Sequence, residues 1–353
     1  MNRRPPVRLG VVGAGFMGQV GHLMNYVEVN NCMIVGLADM RPELCAQVAR
    51  RYNIPETYKS HSELLKSSDV EAVAIITMRE MMGPIALDCL NAGKAVITEK
   101  PMASTFLQAQ SLVEAAARNN VIYKVGYMRL FDEGVQMAKA IIDDLRSSSE
   151  LGAVIFARVH CFGGNGYCNI DGHITTNEPR PLVGETWHSA PDWCPRELAG
   201  DYSEYLNTYC HDINLMRYLL GATPTLDTVN FKNRGGRVAT LDFGSFIASV
   251  ETGFYSYLGW DSRIEVFFEH GSVTVICPPQ MLRNASATVE IYKARELQVR
   301  LQPLSGWTWS FRRQAQAFID DVQNRVAHLA TGKDGLEDMH LIEEMWRKAG
   351  GFR

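Results

Sequence analysis

Residues 7–18, VRLGVVGAGFMG, place an apolar run directly before the pattern Gly-x-Gly-x-x-Gly. The run predicts a β-strand, and the residues from Met17 to Glu28 predict the helix that follows it. Gly13, Gly15 and Gly18 permit a tight turn in which backbone N–H groups approach a pyrophosphate at the positive end of that helix. The stretch therefore predicts a strand, a glycine turn and a helix that together bind a dinucleotide.

An acidic residue follows the second apolar run, at the position where a dinucleotide-binding unit carries the acid that contacts the ribose. Asp39 lies directly after the run Met33–Ala38 and 21 residues after Gly18. Its carboxylate can accept hydrogen bonds from the adenosine ribose hydroxyls, and it would repel a 2′-phosphate, which favours NAD over NADP. Arg41 complicates this preference, since an arginine there can pair with a 2′-phosphate or extend into solvent from the first turn of a helix.

The apolar pattern predicts two domains, which agrees with about 150 residues per domain in a chain of 353. Residues 1–128 alternate short apolar runs with amphipathic segments, which predicts an α/β Rossmann domain with a parallel sheet. Residues 129–353 contain a helix from Ser203 to Leu220 and then seven strand-like runs joined by short turns. They predict an α+β domain with a large, mainly antiparallel open sheet. In the first domain the predicted strands are Leu9–Val12, Met33–Ala38, Ala72–Ile76, Ala95–Thr98 and Ile122–Val125, and the later helices are Pro42–Tyr52, Pro84–Ala92 and Thr105–Asn119.

The composition excludes several classes of protein. No run of about 18 uncharged apolar residues is present, so the sequence predicts no transmembrane helix and no membrane partner. The net charge of −4 argues against a nucleic-acid partner, which usually requires a basic face. We therefore expect a small-molecule partner.

The cysteines and the N-terminus indicate a reducing compartment. The eight cysteines include no Cys-x-x-Cys pair, and we expect mostly buried thiols. Because residues 1–6 lack the apolar core of a secretory signal, the expected localisation is cytoplasmic. Cys161, Cys168, His173 and His188 match no common zinc spacing, so we expect no metal.

A lysine follows another predicted strand at a place suited to ligands. Glu99-Lys100-Pro101 comes directly after Ala95–Thr98, and open α/β sheets bind their ligands at the carboxyl ends of parallel strands. Lys100 could donate a hydrogen bond to a substrate hydroxyl, or it could be a surface lysine.

The segment Gly163–Gly200 is rich in glycine, proline and tryptophan and is long for a loop without function. Its aromatic side chains suit the C–H faces of a sugar, and the predicted substrate contacts are Tyr167, Trp187 and His188. The alternative is a loop that packs its own aromatic side chains onto the domain.

Several stretches together resemble the Gfo/Idh/MocA family of sugar and polyol dehydrogenases. They are Gly13–Gly18, Ala92–Lys94, Glu99–Pro101, Val125–Arg129 and His211–Gly221. The resemblance spans nearly the whole chain and implies a nicotinamide cofactor, dimers or tetramers formed through the C-terminal sheet, and a catalytic role for Lys100. It also implies a Lys100–Pro101 peptide that can be cis.

The same resemblance implies further site residues in the second domain. His211 falls on a pocket histidine of the inositol dehydrogenase branch, and Asn207 replaces the aspartate that stands four residues before it. An asparagine can orient an imidazole but cannot stabilise an imidazolium as a carboxylate does. Arg129 and Trp260 fall on substrate-contacting positions, although Trp260 could equally be a core or interface aromatic residue.

These observations define one predicted site. The predicted catalytic residues are Lys100 and His211, and the substrate-binding residues are Asn207, Arg129, Trp260, Trp187, His188 and Tyr167. The predicted cofactor-binding residues are Gly13, Gly15, Phe16, Met17, Gly18, Asp39, Met40, Arg41, Thr77, Glu99, Lys100 and Met128. Since the run Met78–Met82 departs from the usual family pattern after Thr77, the loop on the nicotinamide side is the least constrained part of this prediction.

The predicted function is an NAD-dependent oxidoreductase that removes hydride from a secondary hydroxyl of a sugar, polyol or sugar derivative. One alternative is an NAD-dependent glycosidase that oxidises its sugar, eliminates the aglycone, adds water and reduces the ketone again. Another alternative is a non-catalytic NAD sensor, against which the presence of Lys100 and His211 counts.

Overall fold

The structure is a computed structural model that describes residues 4–66, 69–180, 184–232 and 236–351. The chain divides into two compact units. The first comprises Met1–Tyr127, Asp171–Pro191 and Phe311–Leu336, and the second comprises Met128–Ile170, Asp192–Ser310 and Glu337–Arg353. The predicted single boundary at residue 128 therefore misses two segments that return to the first unit, because such returns depend on long-range contacts that no local pattern reports.

The first unit contains a parallel sheet flanked by helices, which confirms the predicted Rossmann fold. Its strands are β1 (Val7–Val12), β2 (Cys32–Ala38), β3 (Glu56–Tyr58), β4 (Ala72–Ile75), β5 (Ala95–Thr98) and β6 (Tyr123–Val125). The strands lie in the order β3-β2-β1-β4-β5-β6. After a π-helical segment, Gly18–Leu23, the helices are α1 (Met24–Tyr26), α2 (Pro42–Arg51), α3 (His61–Leu64), α4 (Arg79–Asn91) and α5 (Phe106–Arg118).

Helix α4 begins at Arg79, earlier than the predicted start at Pro84. A proline inside a helix lacks the N–H that would bond the carbonyl four residues earlier, here that of Glu80. The backbone N–H of Trp187 donates to this Glu80 oxygen at 2.8 Å. The helix therefore extends through Pro84 because a distant segment supplies the missing donor.

Helix α8 (Ser310–Asn324) explains why residues 311–336 belong to the first unit. Its apolar residues Ala315, Phe318 and Ile319 lie in the buried cluster of the Rossmann sheet. On β6, the side chain of Lys124 is fully buried and forms an ion pair with Asp321 of α8. Apolar packing and a buried charge pair thus attach this helix to the sheet.

The second unit contains a large mixed sheet that is mostly antiparallel, as predicted. Its strands are β7 (Val154–Asn165), β8 (Thr225–Phe231), β9 (Arg237–Asp242), β10 (Ile247–Leu258), β11 (Asp261–Phe268), β12 (Gly271–Ile276), β13 (Thr288–Ala294) and β14 (Gln298–Leu301). They lie in the order β14-β13-β12-β11-β7-β10-β9-β8. The pair β7 and β10 is parallel, and the other neighbours are antiparallel.

The remaining helices are α6 (Glu133–Ser148), α7 (Arg196–Leu220) and α9 (Gly332–Gly350). Helix α7 begins before the predicted start at Ser203 and continues through Gly200. An interior glycine costs about 1 kcal/mol, and the burial of Tyr202 and Tyr205 on the same helix can offset that cost.

Among the described residues, no helix is both long and apolar enough to cross a membrane.

Candidate active site

The carboxyl ends of β1, β2 and β4 border a cavity of about 660 Å³ within the first unit. This volume is typical of small-molecule sites, which occupy about 300–1,000 Å³. Nine of the predicted cofactor-binding residues line the cavity, namely Gly13, Gly15, Phe16, Met17, Gly18, Asp39, Met40, Arg41 and Thr77. Since ligands of open α/β sheets bind at this edge, the cavity is the candidate dinucleotide site.

The glycine turn leaves no room for side chains at its first and last positions. Gly13 has a φ of +112°, and a Cβ atom there would lie 2.0 Å from the carbonyl oxygen of Ile76. A Cβ atom at Gly18 would lie 2.1 Å from the carbonyl oxygen of Gly13. Such a close turn fits the backbone approach that a pyrophosphate requires.

Asp39 and Arg41 form a buried pair at the edge of the cavity. The Arg41 Nε and Nη2 atoms each donate to the Asp39 carboxylate at 2.9 Å, and the backbone N–H of Ala14 donates to Asp39 Oδ2 at 2.8 Å. Burial alone would raise the pKa of Asp39, but the hydrogen bonds from Arg41 and Ala14 lower it overall. Asp39 is therefore a carboxylate, as ribose recognition requires.

Residues 59–63 also line the cavity, and the sequence analysis missed them. They form the turn into α3, where the Ser60 hydroxyl accepts from the backbone N–H of Glu63 at 3.2 Å. Glu63 in turn accepts from the backbone N–H of Lys59 at 2.9 Å. The pattern Ser-x-x-Glu is a sequence signature of a helix start, so the stretch Ser60-His-Ser-Glu63 carried a signal for this element.

The segment formed by residues 171–180 and 184–191, here called the strap, packs on the glycine turn. The buried Gln19 side chain donates to the Ile174 carbonyl at 2.9 Å and accepts from the Ile174 N–H at 2.8 Å. The rings of His173 and Phe16 meet edge to face with centroids 4.9 Å apart. Because Arg180, Gly184 and Glu185 line the cavity, the strap contributes directly to the candidate dinucleotide site.

Glu99 and Lys100 lie directly after β5, and the Lys100–Pro101 peptide is cis, as the family resemblance implies. His22 Nε2 donates to Glu99 Oε1 at 2.7 Å, and the Lys100 backbone N–H donates to Glu99 Oε2 at 3.1 Å. Burial would raise the pKa of Glu99, but the bond with His22 lowers it overall. A charged, buried Glu99 thus fixes the backbone from which the Lys100 side chain extends.

We expect His22→Phe to destabilise the protein by roughly 2 kcal/mol at neutral pH, because it removes the hydrogen bond from His22 to the Glu99 carboxylate. The folded-state pKa of Glu99 lies below the ordinary value of 4.5, so its stabilisation is present above that pH and is lost as the pH falls below it. The urea midpoint measured from pH 7 to pH 3 should therefore fall less steeply in His22→Phe than in the original protein.

The matched control is His61→Phe, because His61 pairs with Asp88, whose side chain is 59% exposed. That variant should leave the pH dependence unchanged. Equal pH profiles for His22→Phe and the original protein would refute the assigned role of the His22–Glu99 pair.

In the second unit, α7 carries two of the predicted site residues. His211 is buried, with 5% exposure, and Asn207 is half-buried. Their spacing of four residues places them on one face of the helix, one turn apart. The predicted juxtaposition of these two side chains is thus compatible with the helix that the structure contains.

Arg129 is buried in the second unit. Its Nη1 atom donates to Asp212 Oδ1 at 2.8 Å and to the Ser262 hydroxyl at 3.2 Å, while its Nε and Nη2 atoms have no hydrogen-bond partner among the described residues. The guanidinium carbon lies 6.0 Å from the centre of the Trp260 ring. The substrate contact of Arg129 stays a prediction, and Met128 beside it is also buried.

The aromatic candidates divide between the two units. Trp260 is half-buried against Gly163, and its Nε1 atom has no hydrogen-bond partner among the described residues. Tyr167 is 52% exposed. In the strap, Trp187 packs against Gly83, where a Cβ atom would lie 2.1 Å from its ring, and His188 is exposed. Trp187 therefore packs on the domain through Gly83, and its contact with a substrate stays a prediction.

The side chains of the described ranges contain no group of three His, Cys, Asp or Glu residues that could hold a metal ion. The eight cysteines are free thiols, and five of them are buried. The cavity chemistry therefore comes from the glycine turn, the Asp39–Arg41 pair and the strap, and this set fits a dinucleotide.

Residues 7–127 match an oxidoreductase family with an NAD-binding Rossmann fold. The chain is similar to inositol 2-dehydrogenase from Pseudomonas fluorescens, with 24% identity over 343 residues that cover 94% of this chain and 90% of the relative.

Two solved structures show the same fold. A levoglucosan dehydrogenase in complex with NADH and levoglucosan has a TM-score of 0.75 at 16% identity and covers 98% of both chains. A 3-ketoreductase from Actinomadura kijaniata in complex with NADP and TDP-benzene has a TM-score of 0.75 at 15% identity, covering 97% of this chain and 98% of its own.

Proposed function

This chain belongs to the Gfo/Idh/MocA family of oxidoreductases, and from that premise we propose that it oxidises a secondary hydroxyl of a sugar or polyol with NAD. The observation that carries the proposal is the cavity at the glycine turn, with a charged Asp39 at its edge. The similarity to inositol 2-dehydrogenase over nearly the whole chain supports a sugar, a polyol or a sugar derivative as the substrate.

NAD is the proposed cofactor because Asp39 is buried and charged where a 2′-phosphate would need a cation. Arg41 is the only cavity arginine that contacts Asp39 among the described residues, and its guanidinium is committed to that carboxylate. NADP, which the Actinomadura kijaniata structure contains, is the alternative cofactor.

We assign the proton transfer to Lys100 and His211. A nicotinamide dinucleotide supplies, when bound, the acceptor for the hydride that leaves the substrate carbon. Lys100 and His211 both hydrogen-bond the reacting hydroxyl, and one of them accepts its proton as the carbonyl forms. Because two such groups titrate as a coupled pair, the base is assigned to the pair.

The remaining contacts hold the substrate ring. Asn207 orients the ring and the His211 imidazole through its amide, while Tyr167, Trp260 and the strap residues Trp187 and His188 are candidate contacts to the sugar. Arg129, which lies beside the Trp260 ring, is a further candidate.

A second candidate reaction is the redox-neutral cleavage of a glycoside, including one with an anionic sugar. In this reaction the sugar is oxidised, loses its aglycone, gains water and is reduced again, so the same nucleotide must stay bound throughout. The strap favours it, since this segment is bonded next to the glycine turn through Gln19 and would retain the nucleotide.

The test incubates the purified protein with NAD and a panel of free sugars, inositols and glycosides, including acidic and sulfonated ones. NADH absorbance and sugar products are followed together. Stoichiometric NADH with an oxidised sugar supports the dehydrogenase. Released sugar and aglycone that require NAD but leave no net NADH support the glycosidase. Failure to bind any nicotinamide dinucleotide would overturn both proposed reactions.

We also propose a homodimer or homotetramer formed through the second sheet. The carboxyl end of β10 exposes three large apolar side chains, Phe254, Tyr257 and Leu258, which are 57–78% exposed. Such a patch marks an interaction surface. Light scattering during gel filtration should give a mass of two or four chains, and Leu258→Glu should lower it.

A further inference from the structure

A carboxylate from the strap occupies the N-terminus of α2. Glu178 Oε1 accepts from the backbone N–H of Glu43 at 3.1 Å, and Glu178 Oε2 accepts from that of Leu44 at 2.7 Å. These N–H groups have no partner within the helix, and together with the helix dipole they attract an anion. Glu178 thus fills an anion position 135 residues away from the helix in sequence.

The position of Glu178 is fixed by its surroundings. The Thr176 hydroxyl donates to Glu178 Oε2 at 3.2 Å and accepts from the Glu178 backbone N–H at 3.1 Å. The strap itself is held by the paired bonds between Gln19 and Ile174 and by Arg51, which donates to the Gly172 carbonyl at 2.5 Å. Three hydrogen bonds from Gln19 and Arg51 therefore hold the strap in the position that brings this carboxylate to α2.

The helix that Glu178 caps begins directly after Arg41, at the adenosine end of the cavity. Asp39 directly follows β2, Arg41 lies one residue before α2, and both line the cavity. The pKa of Arg41 is raised chiefly by its hydrogen bond with Asp39, and the charge of Glu178 adds to this. Asp39 thus pairs with the guanidinium, and Glu178 bonds the two backbone N–H groups that follow Pro42, next to the place where a ribose 2′-substituent binds.

We propose that Glu178 is a specificity-determining residue that excludes a 2′-phosphate and so selects NAD over NADP. It does so by filling the anion position at the start of α2, where its carboxylate bonds the backbone N–H groups two and three residues after Arg41. This inference rests on the proposed function, since it assigns a role within the nucleotide site. From the sequence alone, the preference for NAD over NADP would be attributed to Asp39.

The test measures nucleotide binding by titration calorimetry with the full-length protein. The ligands are NAD, NADP and the adenosine halves 5′-AMP and 2′,5′-ADP, which isolate the 2′-phosphate from the nicotinamide end. In Glu178→Gln, the preference for NAD over NADP and for 5′-AMP over 2′,5′-ADP should fall roughly tenfold, because the cap and the neighbouring charge are both weakened. Arg41 and Arg180, which both line the cavity, would then face the phosphate.

Asp171→Asn is the matched control, because Asp171 is an exposed strap carboxylate that is not among the described residues lining the cavity and that accepts from the N–H of its neighbour Gly172. It should leave both preferences within twofold of the original. Thermal unfolding of each variant separates this effect from a loss of the helix cap alone, which would lower Tm without changing the preference.

An unchanged preference in Glu178→Gln, with NAD still bound, would refute the role of Glu178 and leave the proposed oxidoreductase intact. A preference of the original protein for NADP would refute it as well. If the original protein binds neither dinucleotide, the proposed function and this inference fail together.

Discussion

Replacement of Lys100 by methionine should lower kcat by a factor of about 10²–10⁴ while nucleotide affinity stays within threefold. Methionine keeps most of the side-chain length and removes the ammonium that hydrogen-bonds and exchanges a proton with the reacting hydroxyl, and such acid–base groups contribute rates of this size. The backbone at Lys100 is held by Glu99, so the substitution should leave the turn after β5 in place. Single-turnover absorbance measurements with the substrate found in the panel provide the readout.

The matched control is Lys94→Met, at the opposite end of β5. Lys94 precedes the strand and donates to the Val70 carbonyl at 2.7 Å, so this variant removes the same charge from the edge of the sheet away from the cavity. Its kcat should stay within twofold of the original. A Lys100→Met variant with kcat within threefold of the original would refute the catalytic role of Lys100. Unchanged biological activity in a Lys100→Met variant that has lost turnover would revive the non-catalytic sensor.

His211→Gln tests the partner of Lys100 in the same assay. Because the two groups share one hydroxyl in the proposed mechanism, the two losses should not multiply in the double variant. The pH dependence of kcat in each single variant then shows the titration of whichever of the two groups remains. Independent, multiplying losses would contradict a shared site of action.

Lys124→Met should destabilise the first unit by about 3–5 kcal/mol, which is a large share of a typical folding free energy of about 5–15 kcal/mol. The Lys124 side chain has 0% exposure and the Asp321 side chain 5%. Burial lowers the pKa of Lys124, although Asp321 opposes this shift by its hydrogen bond and charge. Among the described residues, removing the ammonium leaves the buried Asp321 carboxylate with the two donors of His328 alone.

The double variant Lys124→Met with Asp321→Leu is the informative control. It removes both charges, and replacing a buried pair by apolar side chains of similar volume is often neutral or stabilising. Urea unfolding should therefore show most of the lost stability restored. A double variant as unstable as Lys124→Met alone would show that the loss arises from packing and would contradict the assigned role of the pair.

The sequence by itself determined the Rossmann half of the protein and the place of the candidate dinucleotide site. The glycine turn, the acid after β2 and the lysine after β5 are local features, since each depends on residues adjacent to one strand end. The apolar runs also predicted β1, β2, β4, β5 and β6, because strands buried on both faces of a parallel sheet are continuous apolar runs. The short and largely exposed strand β3 and the short helix α3 lack such a run and were missed.

Tertiary structure alone decided the features that depend on segments distant in sequence. The backbone N–H of Trp187 replaces the donor that Pro84 lacks. Glu178 caps the helix that begins at Pro42, and Asp321 forms an ion pair with Lys124. The same holds for Arg129, whose hydrogen bond to Asp212 joins residues 83 positions apart. Hydrogen-bond donors and charges are satisfied by whatever the chain brings near them, and a local pattern contains no record of those partners.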